Sequence, residues 1–469
     1  MNKIMQSAGI TLRQSALTRF GMTACAALGM SLSLMSAPAH ATAEYALQSG
    51  VSWYRIDNPF MFPSNSDNKL KTSDSAWSTD IRGALFLPLP TERTNLQLTA
   101  SVSQMHYGST FGNYTDLNGN GPYNLNQAKK QFEGIYNWEF SDLLRGRIRH
   151  RTDDRLYNYF GGEIAPSTTT PPRSISNVEP EFPHIREDNV EVAYRVTNRF
   201  DVPLTWTQQT LSYMIPGRVE MYNMNSNAIQ AAIRYTAGTK STLSAGVRRN
   251  RVGFPNRTAQ DIADFDSGYT DTEFFTDVAW RYTENTVFIA HIGSIARHFN
   301  TLPNRDSRLV SGELGIDWHY SAKTTFYGRI WDRPQANDEA DSRLYVITRG
   351  IQGRAVWQAT PKTRVSLLAS LESQKSQNFA TSQISTPTSG DDQLLRLGFR
   401  YDYDITRRLA LRVDAMREQT TSKSGGNIDY RRSTVQVSLN YTFDNVTGPF
   451  NFDNQQGYNR ARQQIEDLR

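Results

Sequence analysis

The chain has 469 residues, of which 51 are basic and 46 acidic, and only 38% are hydrophobic. The near-balanced charge argues against a nucleic-acid-binding protein, which would show a clustered basic excess. No run of about 18 apolar residues follows the N-terminal segment, so the sequence predicts no membrane-spanning helix there. The one membrane protein that such a composition allows is an outer-membrane β-barrel, in which only alternate residues face lipid.

The N-terminal segment, residues 1–41, has the three parts of an export signal. A basic region is followed by an apolar stretch at 21–34 and by small residues that predict cleavage after Ala41 or, almost equally, after Ala43. Its removal would leave 48 basic and 46 acidic residues, a net charge of +2. The single cysteine, Cys25, would leave with it, since too few apolar residues precede it for a lipoprotein signal. We therefore expect no disulfide, thiolate metal site or cysteine nucleophile in the mature chain.

Residues 44–443 carry eighteen candidate strands, separated by connections of two alternating kinds. The short turns, rich in residues that favour tight turns, fall at 90–93, 141–142, 197–198, 238–239, 284–285, 321–323, 360–362 and 404–406. The long polar loops span 57–75, 109–125, 153–185, 214–226, 253–268, 299–307, 333–342, 374–391 and 418–428. This alternation is typical of an outer-membrane barrel, with the turns at the periplasmic rim and the loops outside.

The last strand, Ser433–Phe443, shows the strand pattern most clearly. From Val435 to Phe443 every second residue is apolar and the residues between are polar, which gives the strand one apolar and one polar face. Similar alternation recurs at 81–87, 132–140, 190–195, 229–235, 274–282, 314–320 and 395–401, in nearly every case with aromatic residues just before the turn. Such rings are typical of the girdle at a membrane–water interface. We expect the last strand to close the barrel against the first, near Tyr45–Tyr54.

A soluble β-sandwich would also alternate, but three features disfavour it. The strands are long, their polar faces carry charge repeatedly, and no helical region could cover so large a sheet. The sequence therefore predicts an all-β, transmembrane antiparallel β-barrel of about 18 strands, with about 16 as the lower limit. The weakest strands are 287–298, where both faces are mixed, and 344–357, whose phase changes and predicts a β-bulge.

The polar faces place charged side chains on the interior of such a barrel. The pore-lining candidates are Arg82, Glu133, Arg145, Arg147, Arg149, Arg195, Arg234, Arg248, Arg281, Glu313, Arg354, Arg396, Arg400, Arg412 and Asp414. Four arginines between Arg145 and Arg151 share one face, which cannot be the lipid face, because each would cost about 2–4 kcal/mol at the bilayer midplane. Either the arginines guide an anionic polymer by pairing with its carboxylates, or they pair with neighbouring acids and stiffen the wall. Acidic residues are nearly as numerous as basic ones, which favours the second hypothesis.

Catalysis has little support in the sequence. His291 and Ser294 could suggest a lipid-facing His–Ser pair, but residues three apart in a strand point to opposite faces. We expect no enzyme, no catalytic residue, no cofactor and no metal site. Aromatic residues in the loops could stack on sugar rings or simply pack the loops; they are Tyr107, Tyr114, Tyr157, Tyr159, Phe160 and Tyr222.

Short motifs in the first third of the chain resemble a known family. They are Tyr54-Arg55-Ile56-Asp57-Asn58-Pro59-Phe60 after the first strand, Asp80-Ile81-Arg82-Gly83 opening the second, Tyr107, Tyr114, Asn137-Trp138 and Leu144-Arg145-Gly146. In these motifs, over residues 45–160, the chain resembles EpsL-type outer-membrane proteins of exopolysaccharide operons, the group associated with exosortase B and PEP-CTERM systems. The resemblance implies a barrel that lets a secreted polysaccharide cross the outer membrane, with a periplasmic polysaccharide-export protein as its partner.

The main functional hypothesis is therefore a passive, hydrated conduit for exopolysaccharide export in the outer membrane of a Gram-negative bacterium. The alternatives are a plugged barrel that binds polysaccharide at the surface like a lectin, and a general porin for small solutes. Besides polysaccharide and outer-membrane lipid, we expect the barrel-assembly machinery as a partner, because Phe443 resembles its terminal aromatic signal. The tail, 444–469, is expected to be a periplasmic accessory segment.

Overall fold

The computed structural model of the protein describes residues 43–58, 73–89, 94–108, 126–154, 183–214, 219–220, 222–238, 241–335, 343–378, 391–422 and 429–444. The predicted export signal, the tail beyond Asp444 and most of the long loops lie outside these residues. Two long connections, 253–268 and 299–307, are described in full.

Eighteen β-strands make up most of the described chain. They are β1 (Glu44–Asp57), β2 (Ser73–Pro88), β3 (Asn95–Tyr107), β4 (Gln127–Glu139), β5 (Leu144–Asp154), β6 (His184–Arg195), β7 (Phe200–Ser212), β8 (Met224–Ala237), β9 (Ser241–Gly253), β10 (Gly268–Thr283), β11 (Thr286–Phe299), β12 (Ser307–Ser321), β13 (Thr324–Gln335), β14 (Arg343–Thr360), β15 (Thr363–Asn378), β16 (Asp391–Asp404), β17 (Leu409–Ser422) and β18 (Tyr430–Asp444). The predicted count of eighteen strands is confirmed.

Each strand pairs antiparallel with its neighbours in sequence, and β18 returns to pair with β1. The closing pair runs in one register from Leu47 opposite Phe443 to Asp57 opposite Ser433. The prediction that the last strand closes the barrel against the first is therefore confirmed. Closure leaves no unpaired sheet edge, which satisfies every backbone group in a lipid environment.

One face of the closed sheet is apolar and exposed. Phe274 is 66% exposed and Val310 71%, and exposed large apolar side chains recur on the same face of the other strands. A soluble protein would bury such a surface, whereas a membrane barrel presents it to lipid acyl chains. The fold is a transmembrane antiparallel β-barrel, and the exposed apolar face is its outer face.

Aromatic rings gather on the outer face at the short-turn rim. Trp280, Tyr282 and Phe288 form one cluster beside the β10–β11 turn, with ring centroids 5.3–6.2 Å apart. An equivalent cluster beside the β12–β13 turn consists of Trp318, Tyr320 and Phe326. These rings occupy the position that the sequence predicts for an interfacial girdle.

The structures of β11 and β14 show why these two strands have weak sequence patterns. In β11, Ile289 and Ile295 share the inner face with His291, so apolar residues occur on both faces. In β14 the register is continuous from Tyr345 to Gln358, and the irregularities lie at its two ends. One irregularity, at Leu344, falls at the first residue of the segment 344–357 in which the sequence predicts a bulge. The pattern further along changes because Arg349 lies on the outer face, where it pairs with Asp332 at 2.7 Å.

Several boundaries differ from the sequence-based expectation because strands extend into polar segments. β15 continues to Asn378 and β17 to Ser422, so the predicted loops at 374–391 and 418–428 begin too early. The segment 54–57 belongs to β1 itself and does not follow it, and 80–83 lies in the middle of β2 and does not open it. Hydrogen bonding to neighbouring strands, which local composition does not reveal, maintains strand structure beyond the lipid-facing band.

Short helices lie in the long connections that the structure describes in full. Helix α1 (Ala259–Phe265) follows β9, and a 3-10 helix (Pro303–Arg305) follows β11. Within the described part of the chain, no helix has the length and apolar character needed to cross a membrane.

Candidate functional site

The inner face of the barrel carries the residues that the sequence singles out. All fifteen pore-lining candidates occupy strand positions on the face opposite the exposed apolar one, since directly opposed residues in paired strands share a face. Successive side chains of a strand point to opposite faces of the sheet. Once the apolar residues of a strand are assigned to the outer face, the residues between them must lie on the inner face. Whether these side chains line an open path is a separate question of function.

A first ionic cluster spans β4, β5 and β6. Arg149 is only 3% exposed and lies between two carboxylates, with Nε 2.6 Å from Glu133 and Nη1 3.3 Å from Glu187. Nearby, Arg151 lies 3.3 Å from Asp153, which also accepts a hydrogen bond from Gln131. Burial makes each charge depend on its partner, because an unpaired buried ion loses its hydration without compensation.

The ionic cluster continues toward the short-turn rim around Asp201 on β7. Asp201 is 5% exposed and accepts hydrogen bonds from Arg145 at 2.5 Å and from Arg234 at 2.7 Å. Arg234 also approaches Glu191 at 3.4 Å, and Arg147 lies 3.8 Å from the same carboxylate. Asp201 therefore binds two guanidinium groups, that of Arg145 from β5 on one side of β7 and that of Arg234 from β8 on the other.

A second cluster spans β9 to β13. Glu273 accepts from Arg248 at 2.5 Å and contacts the ring of His291 at 3.2 Å, while His291 also lies 2.7 Å from Asp277. Further along the same wall, Arg329 lies 2.5 Å from Glu313. Charge-assisted bonds of this length connect neighbouring strands as well as neutralising the wall.

A third cluster lies on β16 and β17, where three ion pairs follow one another along the wall. The pairs are Arg396–Glu418 at 2.7 Å, Arg400–Asp414 at 2.5 Å and Arg412–Asp402 at 2.6 Å. Each pair joins two adjacent strands, so it offsets charge locally and leaves little net field across this sector.

Four of the predicted arginines form no ion pair among the described residues: Arg82, Arg195, Arg281 and Arg354. Arg354 lies over the ring of Tyr327, 5.6 Å from its centroid. The other eight arginines of the predicted set are ion-paired. The hypothesis that arginines pair with neighbouring acids therefore describes most of this wall better than a free basic ladder.

The wall formed by β18, β1, β2 and β3 has a different chemistry. Hydroxyl and amide groups bond across the strands, as in Ser52 to Ser438 at 2.9 Å and Ser78 to Ser103 at 3.0 Å. Gln436 donates to the hydroxyl of Tyr54 at 2.8 Å. We call this wall the neutral sector; its few charged side chains include Asp80, which accepts from Ser78 at 3.2 Å.

Sequence reasoning missed several members of the clusters. They are Asp201, Glu187, Asp271, Glu273, His291, Arg297, Arg329 and Glu418. The signal that could have found several of them is the same period of two, continued along the strand beyond a predicted residue. It leads from Arg195 through Glu191 to Glu187, and from Arg281 through Asp277 to Glu273. The other missed residues could be identified only by knowing where their strands end.

The remaining chemical expectations can be placed as well. His291 points inward to Asp277 and Glu273, whereas Ser294 lies in the outward row with Phe274 and Val310, so the two cannot form a His–Ser pair. Among the described residues, no group of three or more His, Cys, Asp or Glu side chains could hold a metal ion. Of the loop aromatics, Tyr222 is buried against Tyr213, with centroids 5.8 Å apart, which fits loop packing; Tyr114, Tyr157, Tyr159 and Phe160 lie outside the described residues.

At the long-loop rim, two connections are joined through one buried carboxylate. Asp266 is fully buried with a positive φ of 75°, and it accepts backbone N–H bonds from Gly268, Thr301 and Leu302 at 2.8–3.2 Å. Arg257 donates to the backbone carbonyl of Asp266 at 2.6 Å. Burial alone would raise the pKa of Asp266, but the backbone donors outweigh it and hold that pKa below its ordinary value.

Replacing Asp266 with Asn should loosen both connections. The amides of Gly268, Thr301 and Leu302 should exchange with deuterium about 10- to 100-fold faster, corresponding to about 1–3 kcal/mol for a buried charge-assisted acceptor. In the unchanged protein the same protection is present above the unfolded pKa of about 3.9 and should be lost as the pH falls through the lower folded value. The exposed Asp264 is the control, and its change to Asn should leave these three amides unaffected.

No model of a known protein family matches the chain, and neither does any curated protein sequence. Solved structures with a similar fold include OccK1 (OpdK) of Pseudomonas aeruginosa, at 11% identity with a TM-score of 0.44, covering 86% of this chain and 99% of that one. OccAB2 of Acinetobacter baumannii gives 10% identity and a TM-score of 0.44, covering 86% and 98%. A mutant of the ferric enterobactin receptor PfeA of Pseudomonas aeruginosa gives 9% and 0.42, covering 85% and 80%.

Proposed function

We propose that the protein is a non-enzymatic channel of the outer membrane of a Gram-negative bacterium, through which small polar solutes pass passively. The observation that carries this proposal is the closed eighteen-stranded sheet with an apolar outer face and a charged inner face. Strands about 4.8 Å apart and tilted by about 40° enclose a cylinder about 35 Å across between backbones. Barrels of 16–18 strands are wide enough to leave an aqueous path after their side chains are counted.

The charge of the inner face supports small solutes in preference to an anionic polymer. Eight of the twelve predicted arginines are already ion-paired, so most of the wall offers weak, local polar contacts. A polymer carboxylate would have to displace an existing partner such as Asp201 or Glu133. A small polar solute needs only transient hydrogen bonds to side chains and water.

Planar-bilayer conductance of the purified barrel tests this proposal. We expect stepwise conductance, together with swelling of proteoliposomes in small sugars that declines as the sugar becomes larger. Heat-unfolded protein added in the same way is the control. If correctly folded protein shows neither conductance nor swelling, the proposed channel function is wrong. That result would favour a plugged barrel that binds polysaccharide at the cell surface.

A second candidate is export of exopolysaccharide, and the neutral sector favours it. Hydroxyl and amide groups suit the hydroxyls of a sugar chain without trapping it, and Tyr54 could stack on sugar rings. The segments 54–57 and 80–83, which resemble EpsL-type proteins, lie on β1 and β2 of that same sector. This candidate implies a periplasmic polysaccharide-export protein as partner. Deleting the gene should then reduce surface polysaccharide, and an undiminished coat would exclude this role while leaving solute passage in place.

A further inference from the structure

Three of the arginines on the outer, lipid-facing side of the barrel lie close together on neighbouring strands. Arg249 and Arg251 are on β9 and Arg308 is on β12, and all three are exposed. Each lies within a few residues of the long-loop end of its strand, at Gly253 or Ser307. We call these residues the arginine patch.

The strand register brings the arginine patch together. Arg249 is opposite Thr272, Thr272 is opposite Ala296, and Ala296 is opposite Arg308, so one row crosses four strands. With strands about 4.8 Å apart, the two ends of this row are about 14 Å from each other. Arg251 lies in the next row toward the loops, about 7 Å further along β9.

The row on the opposite side of the arginine patch, toward the turns, belongs to the apolar band. Val247, Phe274 and Val310 lie in that row and are all exposed. The arginines therefore mark the upper limit of the surface that contacts acyl chains. At this level a long arginine side chain can rest its stem on the apolar surface and place its guanidinium among lipid headgroups.

The strands that carry the arginine patch offer it no acidic partner on their outer face. The outward positions of β8 to β12 contain no Asp or Glu, and the nearby Asp306, in the β11–β12 connection, pairs with His298 at 2.7 Å. None of the three arginine side chains forms an ion pair or hydrogen bond with another described residue. Three other outward arginines do have such partners, in the pairs Arg55–Asp57 at 3.9 Å, Arg186–Asp188 at 3.0 Å and Arg349–Asp332 at 2.7 Å. The patch is thus a concentrated positive charge immediately above the acyl-chain zone.

We propose that the arginine patch binds the phosphorylated headgroup of a lipid in the outer leaflet. Guanidinium groups pair with phosphate in a bidentate manner, and two arginines whose backbones are about 14 Å apart suit a glycolipid that carries two separated phosphates. The hydroxyl of Thr272, between them, adds a donor for a sugar or phosphate oxygen. The site is independent of solute passage, because it lies on the outer face of the wall.

Lipid retention by the purified, folded barrel tests the proposal, with diphosphorylated lipid A and its fully dephosphorylated form as probes. The triple change R249Q/R251Q/R308Q should weaken retention of the phosphorylated form about 100-fold, roughly fivefold for each cation removed. The charge-preserving R249K/R251K/R308K should stay within about tenfold of the unchanged protein. The control R55Q/R186Q/R349Q removes the same net charge from outward arginines that already have acidic partners, and should change retention by less than about fivefold.

Each outcome of the lipid-retention experiment either supports or overturns the proposed headgroup site. A selective loss in the first triple variant, with little retention of the dephosphorylated lipid throughout, supports a phosphate-headgroup site. Equal losses in the first and control triples would mean that only net charge matters and would overturn the proposal. Full displacement of the lipid by millimolar inorganic phosphate would overturn it as well, since a free anion would then satisfy the site. Native electrophoretic mobility without heating verifies that every variant is folded.

Discussion

Replacing Arg149 with Met should lower the free energy of unfolding by about 3–5 kcal/mol, the largest stability loss expected for a single charged residue of the wall. Arg149 is buried between Glu133 and Glu187, and its removal takes away a cation that bonds both carboxylates, 2.6 Å from Glu133 and 3.3 Å from Glu187. Desolvated carboxylates in that arrangement repel, and their mutual separation is fixed by β4 and β6. Equilibrium unfolding in urea from lipid vesicles measures the loss.

Arg195 provides the matched control for this prediction. It is also an inward arginine, but it forms no ion pair among the described residues, so its change to Met should cost less than about 1 kcal/mol. The triple change E133Q/R149M/E187Q should recover much of the stability lost in R149M, because the two carboxylates that lose this cation are replaced by neutral amides. Equal losses at Arg149 and Arg195 would show that the ion pairs around Arg149 do not stabilise the wall.

The sequence predicts the fold well because the dominant constraint has a period of two. A strand that faces lipid on one side and water on the other must alternate, so Val435 to Phe443 identify both the strand and its apolar face. The same rule places Arg145, Arg147 and Arg149 on the inner face without knowledge of their neighbours. Closure follows because an open edge in a membrane would leave backbone groups unsatisfied.

The partners of the inner charges could not be predicted in the same way. Arg149 is directly opposite Ile135 and Asn189, yet it bonds Glu133 and Glu187, two residues further along those strands. A long side chain leans along its neighbours and reaches diagonal positions, which register alone does not determine.

Side-chain size also decides which strands become linked. Arg145 is opposite Ala193 on β6, and it bonds Asp201 on β7, one strand beyond. The small side chain of Ala193, which is buried, leaves room for the guanidinium to pass over it. A period-two pattern records which face a residue occupies but holds no information about such gaps. The outward arginine patch was missed for a related reason, since apolar alternation predicts the lipid face but not the row at which that face ends.

Replacing Asp201 with Asn should make the channel more selective for anions. The change neutralises the carboxylate that Arg145 and Arg234 share, and it leaves Glu191, at 3.4 Å, as the acidic partner of Arg234. A unit charge about 7 Å from an ion's path in water contributes about 0.6 kcal/mol, close to a threefold change in relative permeability. Reversal potentials across a gradient of potassium chloride measure this ratio, and they should be taken near 0.1 M salt, because stronger salt shortens the Debye length below about 10 Å.

Asp332 on β13 separates the effect of position from that of net charge. Its carboxylate lies on the outer face with Arg349, so Asp332 to Asn changes the net charge of the protein by the same amount without altering the inner wall. We expect the reversal potential of this control to match that of the unchanged protein, because the lipid and the sheet separate the outer face from the ion path. An equal shift in both variants would mean that ions do not pass along the inner wall near Asp201. A shift at Asp201 alone would establish that this ionic cluster borders the conducting path and that the Asp201 carboxylate offsets the positive charge of its arginines. Such local offsetting of charge distinguishes a weakly selective channel from a guide for anionic polymers.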